Sequence, residues 1–273
     1  MDVTKTIYDK NKELGRILRE MGNVLIAYSG GVDSAFLVAR AKQELGDKML
    51  AVTASSETFP QREFDEAITL AEELRVPYFT IDIKEFENED FLRNDKNRCY
   101  YCRSGLHSRL VTLAKEQGYP FILDGTNASD ATDYRPGMKA LREKGVRSPL
   151  KEADLTKDEI RELSREMNLK TWNKPSFACL SSRIPYGTKI TERAINQLDI
   201  AENYLLKEIG LRQVRVRHHD KIARIEVDAD ELQSIFFHNQ RIDEKLKELG
   251  FTYVTVDLMG YRTGSMNEVL KVK

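Results

Sequence analysis

Short apolar runs alternate with longer amphipathic stretches along the first half of the chain. Four runs, at 24–28, 49–54, 77–82 and 121–124, are each too short for a buried helix and predict β-strands. The stretch 61–74 repeats its apolar residues every three or four positions, which is typical of an amphipathic helix. Strands that alternate with such helices predict the α/β class, with a doubly wound parallel sheet. Further helices are predicted at 1–22, from 35–39 onwards and at 100–117.

The pattern changes at 174–187, where periodicity is lost and prolines and a glycine bound the segment. We expect a loop there and a domain boundary after it, which gives a first domain at 1–187 and a second at 188–273. A helix at 191–209, with Thr191 as its N-cap, opens the second domain. Two short helices and three strands complete this small C-terminal α+β domain, the strands lying at 213–218, 222–227 and 252–256.

Composition narrows the class of protein without pointing to an activity. The chain has 273 residues, 41 % hydrophobic and 32 % charged, as in soluble globular proteins. Lysine and arginine total 43 against 44 for aspartate and glutamate, so no basic footprint for nucleic acid is expected. No apolar run approaches the ~20 residues that span a bilayer, and no secretory signal is visible. We therefore expect a cytoplasmic protein with no membrane or nucleic-acid partner.

The segment SGGVDS at 29–34 joins the first predicted strand to a helix. Glycines at such a turn let backbone N–H groups converge on an anion, and the helix N-terminus adds partial positive charge. No lysine follows the turn, which excludes the GxxxxGK[ST] phosphate loop. The alternative is an ordinary glycine turn in which Asp33 and Ser34 cap the helix.

A second turn, DGTNASD at 124–130, follows the fourth predicted strand. Ligands of parallel sheets bind at the carboxyl ends of the strands, so this turn and the first share an edge. Gly125, Thr126 and Asn127 are therefore candidates to meet a nucleotide. The alternative is a type I turn rich in Asn and Asp.

Three cysteines, Cys99, Cys102 and Cys179, are too few and odd in number for a disulfide framework. Cys99 and Cys102 have a spacing that chelates one metal ion, shared by zinc, iron–sulfur and redox sites. A third thiolate at Cys179 would hold three irons of a 4Fe-4S cluster and leave the fourth open to a ligand such as sulfide. The alternative is three unrelated cysteines, with Cys179 packed as a small apolar residue.

Arg215 and Arg217 alternate with valines in one predicted strand, which places both guanidinium groups on one face. Two parallel guanidinium groups suit a phosphate or carboxylates. The alternative is a solvated strand face. Arg262, in a glycine-rich segment near the C-terminus, is a further candidate for the same ligand.

Together these motifs resemble known enzymes. SGGVDS resembles the PP-loop of ATP pyrophosphatases, and nearly the whole chain resembles the LarE family of ATP-dependent sulfur transferases. The most specific match is PSFACLSSR at 175–183. The resemblance implies an adenine nucleotide alpha-hydrolase-like PP-loop domain. The other matching segments are DGTN at 124–127, VRSPL at 146–150, IPYGT at 184–188, and Arg215 with Arg217.

The resemblance implies a reaction that uses ATP and Mg²⁺. ATP adenylates a carboxylate of pyridinium-3,5-biscarboxylic acid mononucleotide, pyrophosphate leaves, and a sulfur nucleophile displaces AMP. The product is a ligand precursor for a nickel-pincer cofactor. Asp33 is implied to help place Mg²⁺. The pyrophosphate would be held by Ser29, Gly30, Gly31 and Ser34, and the substrate's phosphate and carboxylates by Arg183, Arg215, Arg217 and Arg262.

The resemblance also implies a sulfur source. Some members of the family consume the cysteine at the Cys179 position, whereas others carry two more cysteines and use a 4Fe-4S cluster with an extra sulfide. Cys99 and Cys102 place this chain with the second group, so Cys179 is expected to be a cluster ligand that serves catalysis. Other proteins of nickel-pincer biosynthesis are implied as partners. A homo-oligomer built through the C-terminal domain is implied as well.

Three other functions stay open on the sequence. A tRNA thiolase of the PP-loop class shares the chemistry but needs a surface for RNA. An ammonia ligase of the NAD-synthetase kind needs no cysteine. A non-catalytic nucleotide-binding module would use the cysteines for a structural metal, but it has no need of Asp33 beside the turn.

Overall fold

The computed structural model of the chain describes residues 6–132, 140–141 and 143–270. Two compact units make up the structure. The first comprises Met1–Ile83 and Cys99–Phe177, and the second comprises Lys84–Arg98 and Ala178–Lys273.

The division between the units falls after Phe177, while the sequence placed a domain boundary after residue 187. The segment 84–98 also belongs to the second unit. Hydrogen bonds explain this, because Asn94 Nδ2 donates to the carbonyl oxygen of Thr188 at 2.9 Å and thereby holds the segment to the loop at 178–188.

The first unit is built on a four-stranded sheet with strand order β3-β2-β1-β4, and all three pairings are parallel. This confirms the predicted α/β class. The sheet grows from β1 in both directions, so the crevice beside the carboxyl end of β1 is a topological switch point, where ligands of such sheets bind. The strands are β1 (Val24–Ala27), β2 (Met49–Ser56), β3 (Tyr78–Ile83) and β4 (Phe121–Leu123).

Helices cover both faces of this sheet. Ile26 belongs to a core on one face that includes Phe36 and Leu163, and Leu25 belongs to a core on the other face that includes Leu110. Successive strand residues thus point to opposite faces, as the pleat requires. In chain order the helices up to this point are α1 (Ile7–Met21), α2 (Val32–Leu45), α3 (Gln61–Glu73), α4 (Glu89–Leu92, in the second unit), α5 (Arg98–Gln117), α6 (Pro149–Glu152) and α7 (Lys157–Glu166).

The second unit contains a three-stranded sheet of order β5-β6-β7, antiparallel between β5 and β6 and parallel between β6 and β7. Thr191 caps its first long helix by accepting a hydrogen bond from the Ala194 N–H, as predicted. A small α+β domain is therefore confirmed. Its elements are α8 (Glu192–Lys207), β5 (Val214–His219), β6 (Ile222–Val227), α9 (Leu232–Phe237), α10 (Asn239–Glu248) and β7 (Tyr253–Val256).

Across the described residues, no helix has the length and apolar content that crossing a bilayer requires.

Candidate functional site

The segment 29–34 forms the turn from β1 into α2. Gly31 occupies the N-cap, and because it has no side chain it leaves the first-turn amides of α2 without a side-chain cap. Gly30 has φ of 69°, and a Cβ there would lie 2.7 Å from the Cβ of Ala67. Both backbone conformation and space therefore require glycine at this position. The open amides at a helix N-terminus form an arrangement that suits an anion.

The two serines of the turn hold its shape. Ser34 Oγ donates to the Gly31 carbonyl at 3.1 Å and accepts from the Ser29 N–H at 3.3 Å. The alternative in which Asp33 or Ser34 serves as the N-cap is wrong, because Gly31 takes that position. The hydroxyl oxygens of Ser29 and Ser34 lie 3.2 Å apart and are partly buried.

The turn after β4 lies directly against the start of α2. A Cβ on Gly125 would lie 3.0 Å from the Ser34 nitrogen, so this close approach favours glycine. Asn127 Nδ2 donates to Asp33 Oδ1 at 3.2 Å. The structure thus brings the second turn to the carboxylate of the first.

Thr126 has an internal role in that turn. Its hydroxyl donates to Asp124 Oδ2 at 2.5 Å, and the other carboxylate oxygen of Asp124 accepts from Ser148 Oγ at 2.6 Å. Nearby, burial and the charge of Arg103 lower the pKa of His107 to about 4, against a smaller opposing effect of Asp124. A neutral, buried imidazole therefore stands behind this edge of the sheet.

Lys157 is a residue of this site that the sequence analysis missed. Its ammonium lies 2.5 Å from Asp33 Oδ2, on the carboxylate oxygen that Asn127 does not occupy. The signal that was available is the Thr156–Glu159 capping box, which marks the start of α7. That signal predicts a helix there, but not which residue its first turn faces.

A second lysine braces the turn from the other side. Lys174 Nζ lies 2.9 Å from a Glu63 carboxylate oxygen and 2.8 Å from one of Glu66, and it donates to the Gly30 carbonyl at 3.5 Å. Burial alone would lower the pKa of Lys174, but the two glutamates outweigh it and raise that pKa. Lys174 therefore stays charged and ties the turn to α3.

The cysteines fall in different parts of the fold. Cys99 and Cys102 lie one turn apart near the start of α5 in the first unit, and both are half-buried and not in a disulfide. Cys179 lies in the second unit, before a 3₁₀ turn at Leu180–Arg183, with its Sγ 3.0 Å from Ser181 Oγ. Within the described ranges, no group of three or more His, Cys, Asp or Glu side chains is arranged to hold a metal ion.

Arg183 forms its hydrogen bonds with other groups of the protein, whereas the resemblance implied a contact with the substrate. The residue is fully buried, and its Nε and one terminal nitrogen each donate to a Glu202 carboxylate oxygen at 2.9 Å. The other terminal nitrogen donates to the carbonyls of Ala178 and Cys179. We therefore assign Arg183 to positioning the backbone that carries Cys179.

Glu202 is ionised in this ion pair, because its pKa is lowered. Burial alone would raise the pKa of Glu202. The guanidinium groups of Arg183 and Arg215 and the N–H of Val216, which donates at 2.9 Å, outweigh that effect and lower the pKa.

Arg215 and Arg217 lie on one face of β5 and are buried, with 7 % and 5 % of their surfaces exposed. The alternative of a solvated strand face is therefore wrong. Arg217 pairs with Glu226 at 2.6 Å, and Arg215 stacks over the Tyr261 ring, 5.2 Å from its centroid. Burial, followed by the charge of Arg183, lowers the pKa of Arg215 to about 10.

Several nitrogen atoms on this sheet are buried without partners in the described part of the chain. They are Nε of Arg217, Nε of Arg224 and Nε2 of His219. Arg217 and Arg224 are cross-strand neighbours of β5 and β6. Because buried donors are normally satisfied, unpartnered guanidinium nitrogens point to an anionic ligand.

Arg262 lies outside this buried group. Its guanidinium contacts an Asp257 carboxylate oxygen at 3.2 Å and a Glu268 oxygen at 3.3 Å, and a third of its side chain is exposed. These two acids hold Arg262 in the described structure, and its role toward substrate stays a prediction.

This chain is similar in sequence to several known proteins. The model of the NAD synthase family matches residues 11–110, which run from α1 into α5. A Lactiplantibacillus plantarum protein named pyridinium-3,5-bisthiocarboxylic acid mononucleotide synthase is 40 % identical over 97 % of this chain and 96 % of its own length. An uncharacterized protein of Synechocystis is 39 % identical over 96 % of this chain and 98 % of its own. The tRNA-specific 2-thiouridylase of Desulforamulus reducens is 28 % identical over 69 % of this chain and 64 % of its own.

Proposed function

Because this chain belongs to the LarE family of pyridinium-3,5-bisthiocarboxylic acid mononucleotide synthases, we propose that it uses ATP to activate the carboxylates of pyridinium-3,5-biscarboxylic acid mononucleotide for sulfur transfer. The thiocarboxylate product would pass to the other proteins of nickel-pincer biosynthesis. The observation that carries the proposal is the uncapped start of α2, with Asp33 in its first turn.

Adenylation explains why this site needs both open amides and a carboxylate. A carboxylate is a poor electrophile, and its oxygen is a poor leaving group. In the proposed step a substrate carboxylate oxygen attacks the α-phosphorus of ATP, and the bond from that phosphorus to pyrophosphate breaks. The first-turn amides of α2, which have no side-chain cap, would face the negative charge that gathers on pyrophosphate. A Mg²⁺ ion, if bound by Asp33, would neutralise part of the same charge.

The substrate's phosphate fits the arginines of the second unit. The buried group contains three guanidinium ions, from Arg183, Arg215 and Arg217, against two carboxylates, from Glu202 and Glu226. One positive charge is therefore in excess, and unpartnered nitrogens are available beside it. A phosphate monoester supplies both the charge and the acceptor oxygens.

The donor chemistry of the cysteines fits an iron–sulfur cluster. The three cysteines are half-buried and none is in a disulfide, and thiolates are the protein ligands such clusters use. We propose Cys99, Cys102 and Cys179 as those ligands. When bound, the cluster would supply a sulfide on an iron that has no protein ligand. In the second half of the reaction, sulfur attacks the acyl carbon of the adenylate and AMP leaves.

The first test measures pyrophosphate release from ATP. We expect the mononucleotide to stimulate release from the wild-type chain and bulk tRNA to have no effect. Stimulation by tRNA alone would instead indicate a tRNA thiolase. No release with either substrate would favour a nucleotide-binding module without this activity.

The second test separates the two sulfur sources. We expect about four irons and matching acid-labile sulfide per chain in anaerobically prepared protein. Cys99→Ala should keep pyrophosphate release but lose thiocarboxylate formation, and Ser104→Ala on the same helix should keep both. Normal thiolation by Cys99→Ala, with no iron in the wild type, would identify Cys179 as a consumed sulfur donor.

A further inference from the structure

Arg98 is a buried cation that binds the loop at 178–188. Only 5 % of its surface is exposed. One terminal nitrogen donates to Asn94 Oδ1 at 2.6 Å and to the carbonyl oxygen of Ser181 at 3.0 Å. The guanidinium carbon lies over the Tyr186 ring, 5.1 Å from its centroid. Arg98 therefore contacts this loop at two places, the first of them two residues after Cys179.

Asn94 completes this anchor. The residue is fully buried, and its Nδ2 donates to the carbonyl oxygens of Pro185 and Thr188, both at 2.9 Å. The backbone carbonyl of Asn94 accepts from the Gly187 N–H at 3.0 Å. Because Asn94 Oδ1 accepts from Arg98, both ends of the side-chain amide have partners. Asn94 and Arg98 thus hold the loop through one connected set of hydrogen bonds.

The thiol of Cys179 contacts the same residue that Arg98 holds. Its Sγ lies 3.0 Å from Ser181 Oγ, and Ser181 is fully buried. Arg183, which is paired with Glu202, donates to the Cys179 carbonyl at 3.0 Å. Two buried guanidinium groups therefore bind the backbone of this turn, one at Cys179 and the other at Ser181.

Arg98 also stands directly before Cys99 in the chain. It is the first residue of α5, where a positive charge opposes the helix dipole. Residues that break a local rule are expected at functional sites. A change at Arg98 therefore reaches Cys99 through the backbone and Cys179 through Ser181.

We propose that Arg98 is a positioning residue for sulfur transfer, an inference that rests on the proposed role of Cys179. Arg98 holds the carbonyl of Ser181, and through this turn it keeps the Cys179 thiol in the position from which sulfur reaches the adenylated substrate. The role is the same whether Cys179 binds a cluster or gives up its own sulfur. Adenylation is proposed to use a separate set of residues, at 29–34, so Arg98 acts on the second half of the reaction.

The first test compares the two half-reactions in Arg98→Gln. Glutamine is neutral and shorter than arginine, so the contact with the Ser181 carbonyl is lost. We expect thiocarboxylate formation to slow by about 10²-fold, because a small displacement of a reacting group has an effect of that size. Pyrophosphate release should be unchanged. Arg109→Gln, at an exposed position on the same helix, should match the wild type in both half-reactions.

Thiol alkylation tests the same inference without ATP or substrate. In the metal-free, full-length chain, modification of Cys179 by iodoacetamide is followed by mass spectrometry of its peptide. Arg98→Gln should speed this modification by about tenfold, since local opening of the turn exposes the half-buried thiol. Arg98→Lys keeps a cation and its hydrogen-bond donors but not the planar guanidinium. It should show the same two effects at a smaller size.

The outcomes separate this inference from the proposed function. Wild-type alkylation together with wild-type sulfur transfer in both Arg98 variants would overturn the inference. Equal losses of pyrophosphate release and thiocarboxylate formation would also contradict it, because they indicate a general loss of structure. If Arg98→Gln did not fold, Arg98→Lys alone would decide. If alkylation changed as expected but the wild type formed no thiocarboxylate from the mononucleotide, the proposed function would fail while the positioning of Cys179 by Arg98 stood.

Discussion

The first unit and the second unit each contain a candidate anion site, and the two sites are built differently. One is the turn at 29–34. The other is the arginine group, which we define as the buried side chains of Arg183, Arg215 and Arg217 with Glu202 and Glu226. The turn relies on backbone amides that a helix leaves open in any case, with a single carboxylate and a lysine at its mouth. The arginine group relies on full charges taken out of water, and each glutamate in it is also buried. Only the second arrangement carries a large desolvation penalty.

Because of this difference, we expect substitutions at the turn to change the reaction and substitutions in the arginine group to change the stability of the fold. Residues at the mouth of the turn are partly exposed, so changing them should alter the reaction and leave the fold intact. The buried arginines and glutamates depend on one another, so removing one leaves a partner charge without compensation. We expect the second unit to lose stability from substitutions that the first unit tolerates.

The largest effect is expected for Arg183→Met. The substitution leaves the fully buried Glu202 carboxylate without its main partner, so the free energy of unfolding should fall by about 3–5 kcal/mol. Denaturant titration measures it. Arg93→Met, which breaks an exposed pair with Asp90 in the same unit, should lower the free energy of unfolding by less than about 1 kcal/mol. Equal losses in the two variants would remove the distinction between the sites.

Asp33→Ala should act on the reaction instead. Loss of the carboxylate that faces the nucleotide should slow pyrophosphate release by about 10²–10³-fold, or about 3–4 kcal/mol in the barrier. The free energy of unfolding should change by less than about 1 kcal/mol. Asp47→Ala, at an exposed position, is the control for both readouts. A loss of stability without a loss of rate would reverse the comparison.

Acid should destabilise the first unit through His107. Its pKa is lowered to about 4 in the folded state, so the unfolded chain binds a proton more readily between pH 6.5 and 4. Stability is therefore full above about pH 6.5 and falls as the pH drops, by about 3 kcal/mol in all. Hydrogen exchange of β1 and α5 at pH 7 and pH 4.5 measures this loss.

His107→Gln is the control that assigns the acid effect. Burial also lowers the pKa of His218 and His219, so the second unit responds in the same direction. The variant should flatten the pH dependence of the first unit and leave that of the second unchanged. An unchanged slope in the first unit would show that another group is responsible.

The smallest effect is expected for Arg217→Gln. Glu226 would keep its contacts with Arg224 and Ser265, both at 3.0 Å, so the fold should persist. We expect KM for the mononucleotide to rise by about 10–100-fold, because charge-assisted bonds to its phosphate are lost. The value of kcat should change less than tenfold. Arg241→Gln, at an exposed position, should leave KM unchanged, and a fall in kcat alone would argue against phosphate binding.

Local patterns in the chain were sufficient for most of the fold. The four strands of the first unit and the helices α3, α5 and α8 were predicted to within a few residues, because periodicity reports which face of each element is buried. The helix predicted at 1–22 is observed at Ile7–Met21, and residues 1–5 of that prediction lie outside the described part of the chain. The glycine turn was readable for a related reason. Backbone anion sites need glycine at fixed positions: a side chain would collide with Ala67 at Gly30 and would crowd the start of α2 at Gly125. The helices α4, α6 and α7 were not predicted.

The sequence by itself determined the parallel sheet, the glycine turn at its carboxyl edge and the second turn, at 124–130, at the same edge. Tertiary structure alone decided that Lys157 pairs with Asp33, that Arg183 pairs with Glu202, and that the segment 84–98 belongs to the second unit. The physical reason is the distance along the chain over which each kind of interaction acts. Strand alternation and helix capping act over a few residues, whereas ion pairing and burial depend on which distant elements the completed fold brings into contact.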